Sequence, residues 1–458
     1  MTWVESEMEL ADFGDKRLNQ RAITLLDRFI AQPTASIPAA CRGWKETLAA
    51  YRFFDNPKVS DANILAPHMA ATRQRMQEHA TVLCVQDTTQ LDYTGQTKIA
   101  GLGPLTYENQ SGFYLHPTLA ITPDRLCLGV IGSKTWARDA EHHGKEGDCK
   151  NRAIEEKESY RWIEGYQEVC QLARTLPDTQ CVYMADREGD IYELFAEATE
   201  QTCQADWLIR ASHDRRVLDD SCLSEELARA PVLGEIEFKL PGHHQRSDKR
   251  VVQRLKAVRV ELRPPQRKGG SLEPTYVTAV VTEEIKPPKG EEPITWVLLT
   301  NLPATTKKQA LEKVQWYLCR WEIEVFFRVL KSGCNIEKLQ LERKERIEPA
   351  LAMYMIVAWR VIYLTMMGRH CPDLPCDLVF EKEEWQAVYL VTTQKAPPQE
   401  PPSINTILRM LAGFGGFLDR KCDGEPGPQT IWIGLQRSRD FVLALQAREA
   451  MMREGTCV

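Results

Sequence analysis

A chain of 458 residues with 43% hydrophobic and 27% charged side chains has an ordinary globular composition and the length for roughly two to four domains. Its net charge of −6 excludes a protein that is basic overall and weighs against a simple nucleic-acid coat, although a local basic patch counts for more than the sum. Fourteen cysteines form no C-x-x-C pair, and the acidic start "MTWVESEMELADFGDKR" is no basic-then-apolar leader, so the expectation is reduced thiols in a cytosolic protein.

Residues 1–70 read as helical. "DKRLNQRAITLLDRFIAQ" sets Leu18, Ile23, Leu25 and Leu26 among basic residues, with Asp15 as the N-cap. "CRGWKETLAAYRFFDNP" forms a second helix that stops at the Asn56-Pro57 turn. Arg17, Arg21, Arg42, Lys45 and Arg52 make this region basic, as a solvated face or a DNA-contacting one. From Thr81 the pattern changes. "TVLCVQDTT" is a buried strand that delivers Asp87 at its end. "GFYLHPTLAIT" and "RLCLGVIGSKTWAR" read as a hairpin about a Pro-Asp turn, followed by a charged helix. "QCVYMADREGDIYELFAEA" is a second apolar strand, ending in Asp186 and running into a helix, and "DWLIRAS" is a third strand.

Residues 212–294 break that rhythm with period-two, antiparallel patterning and Pro/Gly punctuation, as an inserted β segment does. Between Arg246 and Lys268 stand nine Lys/Arg against two acidic residues, which reads either as an edge blunted by cations or as a DNA contact. "ITWVLLTNLP" is a further strand. The apolar run Ala350–Gly368 has Arg360 at its middle and reads as a buried core helix, not a membrane span. "HCPDLPC", with His370, Cys371 and Cys376, lacks the further ligands of a zinc site. Past a Pro-rich stretch the C-terminus is helical again.

The segment "YLCRWEIEVFFRVLK" carries the chemistry. On one continuous helix, Tyr317, Arg320, Glu324 and Lys331 fall within an arc of about 60°, and Glu322 falls outside it. Val314, Leu318, Trp321 and Val325 form a neighbouring apolar stripe expected to face the core. A solvated face of i,i+4 ion pairs is the plainer alternative. Asp87, Asp186 and Glu324 supply hard oxygen ligands of the kind that suit Mg²⁺ or Mn²⁺ in phosphodiester chemistry.

The element order, the two strand-end aspartates and the Y-x2-R-x3-E-x6-K pattern at Tyr317, Arg320, Glu324 and Lys331 resemble the DDE transposases of the insertion-sequence-four family. "DREGDIYELF" is similar to that family's motif around its second Asp, and "RWEIEVFFRVLKSGCNIEKLQLE" to its Glu region. The similarity runs from "FGDKRLNQR" to "LRMLAGFGGFLDR", nearly the whole chain. The chain is similar, within that family, to the hairpin-forming cut-and-paste transposases of bacterial composite transposons. The resemblance implies an α/β fold with an RNase H-like catalytic core over residues 71–372 and the β insertion within it. Residues 1–70 become a helical DNA-end-binding domain, and residues 373–458 a helical dimerisation domain. It implies Asp87, Asp186 and Glu324 as catalytic ligands of two Mg²⁺ ions, with Mn²⁺ as a substitute. Tyr317, Arg320 and Lys331 become grips on phosphate and flipped nucleotide, and Trp296 the stacking platform, with a plain core tryptophan as the alternative. Arg210 takes a position near the cleaved strand, and Arg17 and Arg21 contact the transposon end. The implied partners are double-stranded DNA, as transposon ends and target, and a second copy of the chain, with no membrane, in the bacterial cytoplasm. A domesticated DNA-binding protein and a metal-dependent nuclease without strand transfer are the competing functions.

Overall fold

The structure is a computed structural model that describes residues 2–455 apart from 97, 108, 140–152, 200–203, 241–248, 267–271, 289 and 291. Five helices come first: α1 (Trp3–Glu7), α2 (Lys16–Ala31), α3 (Ile37–Ala40), α4 (Trp44–Phe54) and α5 (Asp61–Gln77). Asp15 caps α2 by accepting from the Arg17 backbone N–H, as its residue type favours. Strands β1 (Thr81–Gln86), β2 (Thr89–Asp92), β3 (Gly103–Pro104), β4 (Ser111–Ile121) and β5 (Cys127–Trp136) follow. Then come α6 (Tyr160–Ala173), β6 (Gln180–Ala185), α7 (Tyr192–Glu197), β7 (Asp206–Arg210) and α8 (Leu223–Arg229). The insertion contributes β8 (Val232–Leu240), β9 (Lys249–Leu262) and β10 (Thr275–Glu284), and β11 (Thr295–Thr300) returns the chain to the core. The remaining helices are α9 (Lys307–Leu318), α10 (Trp321–Arg328), α11 (Lys344–His370), α12 (Lys382–Thr393), α13 (Ile404–Phe414) and α14 (Pro428–Gly455).

Among the described residues, the eleven strands belong to one mixed sheet. Its path runs β2-β4-β1-β6-β7-β11-β10-β9-β8, with β3 and β5 also paired to β4. β1, β6 and β7 are parallel, and every other pairing is antiparallel. The inserted strands are therefore not a separate module. They extend the core sheet beyond β11, so the break in rhythm is a change from parallel to antiparallel pairing.

Because side chains alternate along a strand, each central strand feeds two cores. Leu83, Val85, Val182 and Met184 face one core, filled by α2, α4 and α11. Val82, Cys84, Cys181 and Tyr183 face the other, filled by α6 and α7. On that second side Gly165 lets α6 approach closely, since a Cβ there would lie 2.1 Å from the Gln86 side chain. Buried Gln86 in turn accepts from Tyr183 and donates to Thr118.

Helix α11 is long and apolar enough to cross a bilayer, yet 94% of its most apolar window is buried inside the protein. Arg360 at its middle donates to the Val379 carbonyl and lies 4.3 Å from the Trp3 ring. It is a core helix. Helices α12, α13 and α14 pack on one another, and α13 and α14 also pack on α11. Residue 70 falls inside α5, which packs against β5 and α11, so the N-terminal helical layer and the core share that helix. Cys170 on α6 is disulfide-bonded, contrary to the expectation that every thiol is reduced, and such a pairing in space leaves no trace in sequence spacing. Other core thiols, Cys84 and Cys181 among them, are free.

A buried polar group ties α1 to the core. The Val130 N–H donates to His68 Nε2 at 3.0 Å, so the imidazole is neutral and its Nδ1–H donates to Glu7 Oε1 at 2.5 Å. Arg75 donates both terminal nitrogens to Glu7, at 2.9 and 3.0 Å, and stacks 4.4 Å from the Trp359 ring. Burial pushes the Glu7 carboxyl up, but the hydrogen bonds from His68 and Arg75 outweigh it and hold the group at about 2. Glu7→Ala, which strips Arg75 and His68 of their acceptor, is expected to lower the urea midpoint by the equivalent of roughly 3–5 kcal/mol. A depressed carboxyl adds stability above its ordinary pKa of 4.5 that is lost as pH falls towards about 2. Wild type should therefore lose more stability than Glu7→Gln across that window, and parallel losses would contradict the charged role.

Candidate active site

The register of β1 with β6 decides where two carboxylates meet. Thr81 pairs with Gln180 and Val85 with Met184, and the same register carried two residues on sets Asp87 opposite Asp186. Both leave their strands on the α11 side of the sheet. Each is tied locally, for the Thr88 N–H donates to Asp87 Oδ1 at 2.7 Å and the Glu188 N–H to Asp186 Oδ1 at 2.8 Å.

Tyr317–Lys331 does not form one helix. Helix α9 ends at Leu318, and in the first turn of α10 the Glu322 and Ile323 N–H groups reach back three residues, to Cys319 and Arg320. After Arg328 the chain passes into a π-helical turn, Val329–Gly333, closed by the Cys334 N–H donating to the Val329 carbonyl. The elbow puts Arg320 between the two helices. It also changes the buried stripe. Cys319, Ile323, Phe326 and Phe327 are in the core, whereas Trp321 is 62% exposed and Leu318 and Val325 are half-buried. The expected stripe through Leu318, Trp321 and Val325 assumed an unbroken helix. Glu322 is buried facing Arg125, 3.5 Å away, and takes no part in the polar cluster.

Arg320 is the hub of that cluster. Its Nη1 lies 2.6 Å from Asp87 Oδ2 and its Nη2 3.3 Å from Glu324 Oε1. Burial pushes the Asp87 carboxyl up to about 7; the Asp186 and Glu324 charges add to this, and Arg320 opposes it. Tyr317 is buried, which pushes its hydroxyl up against the nearby Arg320 and Arg210 charges, and Arg210 ends β7 beside β11. The half-buried Trp296 ring meets the Tyr317 ring edge-on, 6.0 Å between centroids, and stacks on Phe238. Tyr317, Arg320, Glu324, Arg210 and Trp296 thus line the same end of the sheet as Asp87 and Asp186. Lys331, displaced by the π turn, pairs instead with Glu337 at 3.5 Å. Arg17 is exposed and Arg21 half-buried on α2, and among the described residues neither guanidinium has an ion-pair partner. Other cations are taken up by the fold itself: Arg215 by buried Asp190, Arg216 by the Asp220 carbonyl, Arg250 by Glu237 and Arg263 by Asp220. The ends of the basic stretch, Arg246 and Lys268, lie outside the described residues.

Among the described residues no three His, Cys, Asp or Glu side chains already stand as a metal cage. The donor chemistry nevertheless fits a hard divalent cation. Asp87, Asp186 and Glu324 are oxygen donors, Asp87 feels the charges of the other two, and Arg320 is seated among them. Sequence reasoning overlooked Arg161 on α6, which contacts the segments that follow both aspartates. No periodicity connects it to them.

Three family models match the chain: a transposase DNA-binding domain over residues 1–59, a transposase DDE domain over 166–360, and the transposase Tn5 dimerisation domain over 356–454. The DDE match contains Asp186 and Glu324, and Asp87 lies upstream of it. Together the three describe a DDE transposase that binds DNA and dimerises. Among solved structures, the cryo-EM structure of a piggyBac transposase synaptic complex with hairpin DNA aligns over 79% of this chain and 70% of that one, at 9% identity and a TM-score of 0.36, too low to carry weight.

A carboxyl raised in the folded state stabilises the protein below its ordinary pKa of 3.8, and that contribution is lost as pH rises to about 7. Metal-free wild type should melt progressively lower as pH rises through this window, and Asp87→Asn should melt higher than wild type at about pH 8. Coincident melting curves at high pH would show that Asp87 carries no such strain.

Proposed function

We propose that this DDE transposase carries out metal-dependent cut-and-paste transposition at the ends of its element, cleaving DNA strands, forming a hairpin and transferring the freed end to a target. The observation that carries the reading is the meeting of Asp87, Asp186 and Glu324, from β1, β6 and α10, about one arginine at the end of an α/β sheet of RNase H-like order. Asp87, Asp186 and Glu324 would hold Mg²⁺ or Mn²⁺, two ions in this reading. When bound, such a pair activates the attacking oxygen and stabilises the leaving one.

The chain's own groups do the rest. Arg320 keeps the carboxylates tolerable in the absence of another cation. Once they are neutralised from elsewhere, its planar fork is free to grip a backbone phosphate. Arg210 and the Tyr317 hydroxyl form a second polar grip beside it, and Lys331 a third if it leaves Glu337. Trp296 offers its half-exposed ring to a base turned out of the duplex, a contact worth about 1–3 kcal/mol. The flip costs a few kcal/mol and relieves the tight backbone bend of a hairpin. Arg17 and Arg21 stand ready for the phosphates of the transposon end, and the C-terminal helices join two copies across paired ends, in the cytoplasm.

Asp87→Ala, Asp186→Ala and Glu324→Ala should each reduce cleavage of an end-labelled duplex by at least about 10³-fold while end binding stays near wild type. Near-normal cutting by Glu324→Ala, with loss in Glu322→Ala, would overturn the assignment. Trp296→Ala should slow hairpin formation more than the first nick in a gel time course, with partial recovery in Trp296→Phe. Equal slowing of both steps in a well-folded variant would make Trp296 a packing residue.

A further inference from the structure

We propose that Arg161 is a positioning residue that clamps the two aspartate-bearing strand ends to each other. The inference rests on the cleavage reading above, but its geometry does not. Arg161 is the second residue of α6 and its side chain is only 11% exposed. Its Nη2 lies 2.5 Å from Glu188 Oε2, two residues beyond Asp186, while its Nε donates in a longer contact, 3.4 Å, to the hydroxyl of Thr88, next to Asp87. The backbone N–H groups of Thr88 and Glu188 are the ones that hold the Asp87 and Asp186 carboxylates. One guanidinium thus grips both tethers.

The guanidinium is itself fixed. Its Nη1 donates to the Glu158 carbonyl at 2.7 Å, and its Cζ lies 5.1 Å from the Trp136 ring centroid and 5.5 Å from that of Trp162. On the far side of Thr88, buried His116 has Nδ1 2.8 Å from the same hydroxyl and packs edge-on against Trp162 at 4.6 Å. Thr88 Oγ1 accepts from Arg161 and shares a second hydrogen bond with His116. A surface arginine bound for DNA would need none of this support. A side chain fixed by two indoles and a carbonyl, and spent on two loops, has the design of a supporting partner that orients ligands. Loss of such partners costs about 10–100-fold in metal affinity or activity.

The first readout needs no metal and no DNA. Hydrogen exchange of the metal-free protein should quicken by about tenfold in Arg161→Ala at the amides of both Thr88 and Glu188. In Glu188→Ala the gain should be smaller, and the double variant should match Arg161→Ala, since both changes break one linkage. Arg161→Lys, which reaches only one partner at a time, should loosen one loop. Unchanged exchange, or loosening confined to one loop in Arg161→Ala, would overturn the clamp. The second readout is the free Mn²⁺ signal by electron paramagnetic resonance, with the Mn²⁺ dependence of cleavage at saturating end DNA. Both midpoints should rise about 10–100-fold in Arg161→Ala, with end affinity and its salt dependence unchanged. Unmoved Mn²⁺ midpoints with weaker, less salt-dependent DNA binding would make Arg161 a phosphate contact. A wild type that neither binds Mn²⁺ nor cleaves would refute the cleavage reading, and the exchange data would still decide the clamp.

Discussion

Everything at the end of this sheet follows from the parallel pairing of β1 with β6 in a register that sets Asp87 against Asp186. Adjacent strands lie about 4.8 Å apart, so two carboxylates emerge side by side, half-buried, with a third, Glu324, close by. Like charges that close in a partly dry site repel by an amount on the order of a few kcal/mol. A chain that keeps such an arrangement needs compensation, and the structure shows two forms of it. Asp87 holds its proton up to about 7, and Arg320 reaches over from the elbow between α9 and α10 to pair with Asp87 and Glu324. A carboxylate cluster that is strained alone and eased by a cation is the arrangement the proposed metal role requires.

The rest of the fold holds that register. Gln86, the last residue of β1, is locked by Tyr183 on β6 and Thr118 on β4, so the three central strands cannot slide without losing buried hydrogen bonds. Gly165 lets α6 sit directly on this lock, and Arg161 on the same helix reaches the loops that carry the aspartates. On the opposite face α11, buried along its length, supports α10 and the elbow. The inserted strands add length beyond β11 and place Phe238 behind Trp296.

Much of this was legible in the sequence, for physical reasons that can be named. Apolar runs of strand length ending in a carboxylate announce a buried strand with a polar end, and both Asp87 and Asp186 occupy such ends. Helical spacing separated Glu324 from Glu322, and in the structure Glu322 turns to Arg125 while Glu324 stays with Arg320. Periodicity could not reveal the elbow, because Cys319 and Arg320 keep near-helical dihedrals and only the hydrogen-bond step changes. That small change exposed Trp321, which the stripe of an unbroken helix would bury, and the π turn carried Lys331 to Glu337. Arg161 was invisible for a different reason: its partners come from three separate segments that only the folded chain brings together. The basic stretch of the insertion showed its density in the sequence but not its partners, and several of its described cations are already paired.

The account turns on whether the position now filled by Arg320 is the place of a divalent cation. Anomalous diffraction from crystals of the protein with an end duplex and Mn²⁺ tests this directly. Manganese peaks coordinated by Asp87, Asp186 and Glu324, with the Arg320 guanidinium withdrawn from Asp87 towards a DNA phosphate, are the predicted result. Manganese bound elsewhere, or Arg320 still seated on Asp87 and Glu324 with DNA in place, would contradict it.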